Sequence, residues 1–449
     1  MKAERARERL EQALRFEALG DAQKAERAYR AIVRRHPRDA QALTRLGLLL
    51  SRRNEFAEAA SLFRRAGEAD PQSFIAQMNL AAALLRLGDE PGAVVAYAAA
   101  LAIDPSSREA RLNLAYRLRR LGRLVEARPH YQHLVARQPR DSLARWNLAA
   151  LDGLAGDLDA AFAGFAHDHA LKSADLPLRL PRWRGEPLAG RRLLLEAEQG
   201  LGDTIMFARL APLAHAAGGR VILRAQPQLQ GLVAQIHGVE AFASREQPEP
   251  EADLWAPLAD LPAVFGAAAC IAAAPRPYLT AEPGRAATWA ARLPDTAKMR
   301  VGLVWAGGAA HPEDADRSMP LSTMLQPLAA IDGVELVSLQ KGPPAAQADG
   351  SDLIRADLDI ADFEDTAAAL DRMDLLICVD TSILHLAGAL GRPVWGLIGF
   401  VPDWRWMLNR TDSPWYPSLR LFRQPTPGDW RSAVAAVAVA LSAAVRAGG

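Results

Sequence analysis

Cysteine is nearly missing, with two residues, Cys270 and Cys378, in 449. They stand far apart in apolar surroundings, which excludes a disulfide framework and points to two buried thiols in a reducing compartment. Charge excess is missing as well. The 53 basic and 52 acidic residues leave +1, so no global field draws the chain to nucleic acid or to an anionic membrane. No apolar run is long enough to span a bilayer, the nearest being the alanine-rich stretch 433–445. The first ten residues are charged from the second onward and hold no apolar signal core, so the expectation is a cytoplasmic protein with no integral membrane segment. No cluster of His, Cys and Asp has metal-ligand spacing, so neither metal nor cofactor is expected. Hydrophobic residues make up 50% of the chain, enough at this length for two or three domains with sizeable cores.

Aromatic residues are only 6% of the chain, yet they fall into register. At a spacing of 34 residues stand Tyr29, Phe63, Tyr97, Tyr131 and Phe165, each four residues after Ala25, Ala59, Ala93, Ala127 and Ala161. Gly20, Gly88, Gly122 and Gly156, with Asn54 in the second unit, mark turns at the same period, and Pro37, Pro71, Pro105 and Pro139 mark stops. This is the tetratricopeptide pattern, five helix–turn–helix units over about residues 6–172. The alanine lets paired helices approach and the aromatic fills the gap to the next unit. The inner face of such an array is lined by the first helix of each unit, where Asn79, Asn113 and Asn147 share one register. Their amides can grip a peptide backbone or bond only within the array. Glu11 and Arg45 interrupt the ladder in the first two units.

After Leu176-Pro177 and Leu180-Pro181 the helical period ends, which places the array at 1–172. Strands alternating with helices then predict parallel sheets: Leu193–Glu196, Arg220–Arg224, Val239–Phe242 and Asp253–Trp255, with helices over Ile205–Ala214 and Leu229–Ile236. A proline-rich connector beginning at Ala274 precedes a second set, Val301–Trp305, Val334–Leu339, Leu353–Ile354, Leu375–Val379 and Val394–Ile398, and a closing helix over 433–445. The fold class is therefore an all-α superhelix followed by two Rossmann-like α/β halves, 173–283 and 284–449, with ligands expected at the carboxyl ends of their strands.

Two motifs give these halves chemistry. One is the glycine turn Gly200-Leu-Gly202-Asp203-Thr-Ile; the other is Asp380-Thr381-Ser382 leading into a helix that carries His385 and ends at Gly391-Arg-Pro393. A helix start offers free N–H groups to a phosphate, helped by the two hydroxyls and by His385 one turn in. Together the motifs resemble the ADP-heptose:lipopolysaccharide heptosyltransferase family of GT-B glycosyltransferases, over roughly residues 190–425. The layout, with its repeats, is similar to O-GlcNAc transferase and to flagellin glycosyltransferases.

The resemblance implies an inverting, metal-independent hexosyl-, heptosyl- or nonulosonyl-transferase that uses a nucleotide-sugar donor. Asp203 matches the family's proposed base, although the same aspartate can cap its helix. Asp380 matches the residue that contacts the sugar, and Thr381, Ser382 and His385 those that hold the diphosphate, with Gly200 and Gly202 letting the backbone approach. Arg317 falls where the family carries a phosphate-contacting lysine, a departure that keeps the charge. Lys341 is placed like the phosphate-binding lysine of O-GlcNAc transferase or is a solvated loop residue. Trp305 ends a strand before Ala306-Gly-Gly308, whose small residues admit a ligand, and His311 follows in that loop. The segment 400–417, with Trp404, Arg405, Trp406 and Arg410, reads first as a staple between the halves, Trp404 and Trp406 being the candidates for lining the site. The expected acceptor is a protein, flagellin among the candidates, recruited by the repeats. A glycolipid acceptor and a non-catalytic scaffold are the alternatives.

Overall fold

The computed structural model describes residues 2–172, 180–273, 277–308 and 313–448. Ser173, Leu176-Pro177, the start of the connector at 274–276 and His311 lie outside the described residues. The chain divides into two compact units, Met1–Leu148 and Ala149–Gly449.

Ten helices open the chain: α1 (Lys2–Ala18), α2 (Ala22–Arg35), α3 (Ala40–Arg52), α4 (Phe56–Ala69), α5 (Phe74–Arg86), α6 (Glu90–Ile103), α7 (Arg108–Arg120), α8 (Leu124–Arg137), α9 (Ser142–Ala155) and α10 (Leu158–Lys172). Each turn within a pair needs a left-handed residue, and Gly20, Gly88, Gly122 and Gly156 supply it without a Cβ clash. Asn54, at φ 63°, takes the same place in the second pair. Asp39, Ser73, Asp89 and Ser107 each accept an N–H from the first turn of the helix that they precede. Ala25, Ala59, Ala93 and Ala127 are fully buried, with Tyr29, Phe63 and Tyr131 beside them. Helix approach is close: a Cβ on Gly47 of α3 would lie 2.7 Å from the Phe63 ring of α4. The repeat pattern of the sequence is thus the packing code of the helices. The boundary between the compact units falls inside α9, so α10, with Ala161 and Phe165, belongs to the second unit.

Two parallel sheets follow. The first, β1 (Arg192–Glu196), β2 (Arg220–Ala225), β3 (Val239–Ser244) and β4 (Leu254–Pro257), has the order β3-β2-β1-β4. The second, β5 (Met299–Val304), β6 (Val334–Ser338), β7 (Leu375–Val379), β8 (Val394–Ile398) and β9 (Leu419–Arg423), has the order β6-β5-β7-β8-β9. β7 is buried at every position, as an apolar run covered on both faces requires. Three expectations change. Leu353–Ile354 forms only an isolated bridge from Ile354 to Val337, and β9 takes the edge of the sheet. The expected helix 229–236 shrinks to a 3-10 turn, Pro227–Leu229, and one α-turn, Gln230–Val233. The closing helix is longer, Trp430–Gly448, and among the described helices it is long and apolar enough to cross a membrane by length and composition. Its Val434, Val437 and Leu441 are fully buried in a core shared with Val301, Leu303 and Ile377, so the apolar face is occupied by the sheet.

Candidate active site

Each motif sits just beyond the carboxyl end of a strand. After β1, Gly200 caps the helix Leu201–Ala208, and Asp203 on its first turn reaches back so that Oδ2 accepts the Gly200 N–H at 3.1 Å. Thr204 pins the turn from the other side, its hydroxyl donating to Gly200 O at 3.1 Å and Gln226 Oε1 at 2.9 Å. After β7, Thr381 precedes the helix Ser382–Ala389 but supplies no side-chain cap. Its hydroxyl lies instead 3.3 Å from the Cys378 thiol. Thr381 thus leaves the first-turn N–H groups without a bond from its own side chain, while the Cys378 sulfur accepts from the Leu384 N–H. Burial pushes the Cys378 thiol up to about 12, so that sulfur is an inert neighbour.

The fold brings these two turns together. A Cβ on Gly202 would meet His385 Cδ2 at 2.9 Å and Ser382 Cα at 3.5 Å, so only glycine allows the contact. His385 is buried and cannot yield: its ring lies 5.2 Å from that of Trp406 and 5.7 Å from that of Tyr416, whose hydroxyl is 2.9 Å from Nδ1. Burial, and then the positive charges of Arg405, Arg209 and Arg317, hold this imidazole well below its ordinary range, so it is neutral near pH 7. A neutral ring whose Nδ1 is taken by Tyr416 keeps Nε2 for another partner, and the Cδ2–Nε2 edge is the one beside Gly202.

Charges of both signs surround this contact. Burial and the Asp403 carboxylate push Asp380 up to about 6, against the Trp406 indole and the cations Arg317 and Arg405. Arg317 is joined to Asp314 at 3.2 Å and packs on the Ala306-Gly307 backbone, where a Cβ on Gly307 would approach Nη2 to 2.8 Å. Arg405 is buried, pairs through Nη2 with Asp203 Oδ1, and donates from Nη1 to Asp403 Oδ1 at 2.8 Å. Arg209, also buried, donates to the carbonyls of Met206 and Trp415 and to the Tyr278 hydroxyl, between the rings of Tyr278 and Tyr416. Such buried cations cost several kcal/mol each in solvation and are concentrated around one pair of turns.

Thus Gly200, Gly202, Asp203, Asp380, Thr381, Ser382, His385 and Arg317 converge. Two expected residues turn away. Lys341 donates its ammonium to the carbonyls of Asp357 and Ile360, at 2.8 and 2.7 Å, and so ties a loop together. The Trp305 side chain is fully buried in the core of the second sheet, and its backbone N–H is held by Gln340 Oε1 at 3.0 Å. In the repeats, Asn79 and Asn147 each donate to the carbonyl four residues earlier, that of Ile75 and of Leu143; Asn113 is half-buried. Trp404 packs instead on Phe162 and Phe165 of α10, at 5.6 and 5.2 Å, and so ties its segment to the last repeat helix. Trp406, against His385, is part of the site wall. Arg209, Tyr278, Asp403 and Tyr416 carry no sequence signature; only Arg405, in its tryptophan-rich segment, drew notice.

Residues 10–74 and 45–108 match the tetratricopeptide repeat family, and residues 360–427 match glycosyltransferase family 9 (heptosyltransferase). The second match includes Asp380, His385, Asp403 and Arg405, while the Gly200–Asp203 turn lies before it. Protein FlbA of Caulobacter vibrioides is 31% identical over 288 residues, which are 58% of this chain and 48% of that protein. The chain thus spans about half the length of this curated relative. Among solved structures, MamA from Desulfovibrio magneticus RS-1 is 19% identical with TM-score 0.34, covering 38% of this chain and 97% of that one. YrrB, described as a TPR protein with an unusual peptide-binding site, is 17% identical with TM-score 0.35, covering 37% of this chain and 87% of that one. The chain therefore joins tetratricopeptide repeats to a region like heptosyltransferases.

Proposed function

We propose that the protein transfers a sugar from a nucleotide-sugar donor to a hydroxyl of a protein acceptor that the repeats recruit. The observation that carries this reading is the contact of Gly202 with His385 and Ser382, which brings the carboxylate-bearing turn of one sheet to a helix N-terminus of the other. Asp203 accepts the acceptor's proton, and the attack inverts the anomeric carbon in one displacement. The helix start, Ser382, His385 Nε2 and Arg317 hold the diphosphate, and Asp380 contacts the sugar. Two guanidinium groups and a helix N-terminus supply the positive charge, so the transfer proceeds without a metal ion and a chelator leaves its rate unchanged. Lys341 and the Trp305 side chain are left out of this site.

Flagellin is the first acceptor to try. A glycolipid acceptor is the second reading, favoured by the heptosyltransferase match over 360–427. The test is release of nucleoside phosphate from a panel of nucleotide-sugars, with flagellin and lipopolysaccharide cores offered separately. Turnover that needs the protein acceptor supports the first reading. Turnover with the glycolipid alone replaces it, and none with any donor removes the transferase reading.

A further inference from the structure

Arg405 is spent in a way that a staple does not require. It lies in the 3-10 turn Trp404–Trp406, 9% exposed, with its guanidinium 4.5 Å from the Trp404 ring and 5.8 Å from that of Phe207. One terminal nitrogen pairs with Asp203 and the other with Asp403, while the buried Nε–H has no partner among the described residues. Asp203 comes from the turn after β1, 202 positions earlier, and its other oxygen is held by the Gly200 N–H. Both carboxylate oxygens of the candidate base are thus engaged. Each oxygen keeps a second lone pair, so the pairing does not block proton transfer outright; it makes an acceptor hydroxyl compete with a guanidinium for Oδ1.

We infer that Arg405 is a donor-operated latch on Asp203: it holds the base while the site is empty and turns to the leaving diphosphate once the donor is bound. The inference rests on the transferase reading above. In the transfer step, the acceptor hydroxyl gives its proton to Asp203 and its oxygen bonds to the anomeric carbon. The bond from that carbon to the phosphate oxygen breaks, and the electron pair leaves with the nucleoside diphosphate, which gains one negative charge. A planar guanidinium with five donors suits a bidentate phosphate contact as well as a carboxylate. An incoming diphosphate therefore competes with Asp203 for it, while Asp403 keeps the group in place. The exchange frees an Asp203 oxygen at the moment when a sugar is present to accept attack, and it puts a cation where the negative charge develops. Burial works against the charge on Arg405, but Asp203, Asp403 and Asp380 outweigh it and hold it firmly cationic, so the latch does not open by losing a proton.

Two variants separate latch from staple. Arg405→Lys keeps the charge without the fork, and Arg405→Gln removes the charge; both are checked for folding by circular dichroism and thermal melting. Binding of inorganic pyrophosphate, measured by calorimetry, needs no knowledge of the donor. The latch predicts affinity at least ten-fold weaker in Arg405→Gln and partly restored in Arg405→Lys. With an active donor, kcat falls about 100-fold in Arg405→Gln. The acid limb of kcat/KM also moves to higher pH, because Asp380, flanked by Asp403, loses a cation that offsets its burial while Arg317 and neutral His385 remain. A folded Arg405→Gln protein with unchanged pyrophosphate affinity and an unmoved pH profile overturns the latch, even if melting drops. If the wild type transfers sugar and that result is found, only the latch falls. If the wild type binds pyrophosphate through Arg405 yet transfers no sugar from any donor, the transferase reading falls instead.

Discussion

In the repeat unit, the pairs of Arg108 with a buried Asp141 and of Arg30 with Glu58, across neighbouring pairs of helices, keep the guanidinium partly in water, although Arg119 of α7 is buried. The α/β unit draws Arg209, Arg405 and His385 into its interior instead. Buried alanines and aromatics hold the repeats together, with surface charge adding little. The α/β unit gives up solvation to keep charges beside two turns, which is the arrangement expected where stability yields to chemistry. The same kind of substitution should therefore have opposite consequences in the two regions.

Phe63→Ala should show the largest effect, about 3–5 kcal/mol lost from the repeat unit, because the cavity opens against Gly47 where neighbouring helices already touch. Chemical denaturation followed at the repeat unit's transition measures it, and donor turnover should stay at the wild-type rate. Gly202→Ala should do the reverse. Its Cβ meets a His385 ring that Trp406 and Tyr416 hold, so the two turns must part; transfer should fall about 100-fold, the α/β unit should lose about 1–3 kcal/mol, and the repeat unit's midpoint should stay unchanged. A Gly202→Ala protein as active as the wild type would break the contrast.

The smallest effect concerns pH. His385 ionises more readily in the unfolded chain than in the fold, so its contribution to stability is complete above about pH 6.5 and is lost on acidification. Asp380 acts oppositely. Its carboxyl, up at about 6 against an ordinary value of 3.8, makes the fold relatively more stable as pH falls between those values. Replacing His385 with Gln should remove the acid-side loss and leave the gain from Asp380, a change of at most about 1.4 kcal/mol per pH unit. Denaturation midpoints of the α/β unit at pH 7, 5.5 and 4.5 measure it.

The repeats were legible because their marks recur every 34 residues and each mark has one packing job, so the spacing alone gives Asn54 a glycine's place, and its φ of 63° agrees. Most strands were legible as apolar runs between turns. Leu353–Ile354 was not, since two apolar residues define no period. The site was legible where local sequence builds it: Gly200–Asp203 and Asp380–His385 are each a strand end, a turn and a helix start. It was illegible where partners come from afar. Nothing near Arg405 in sequence announces Asp203, and nothing near Lys341 announces that two carbonyls at 357 and 360 would claim its ammonium. Trp305 was misjudged because a strand end can face either a ligand or the core, and neighbouring Val301 and Leu303 show which side won.

Two turns, one from each sheet, are proposed to form one transfer site serving a protein acceptor. Intact-mass measurement of flagellin co-expressed with this chain, or with its Asp203→Asn variant, tests it most directly. Flagellin should gain the mass of whole sugar residues with the wild type and none with a folded, soluble Asp203→Asn protein. An equal mass gain with Asp203→Asn, or none with the wild type on flagellin or on any other co-expressed protein, would contradict it.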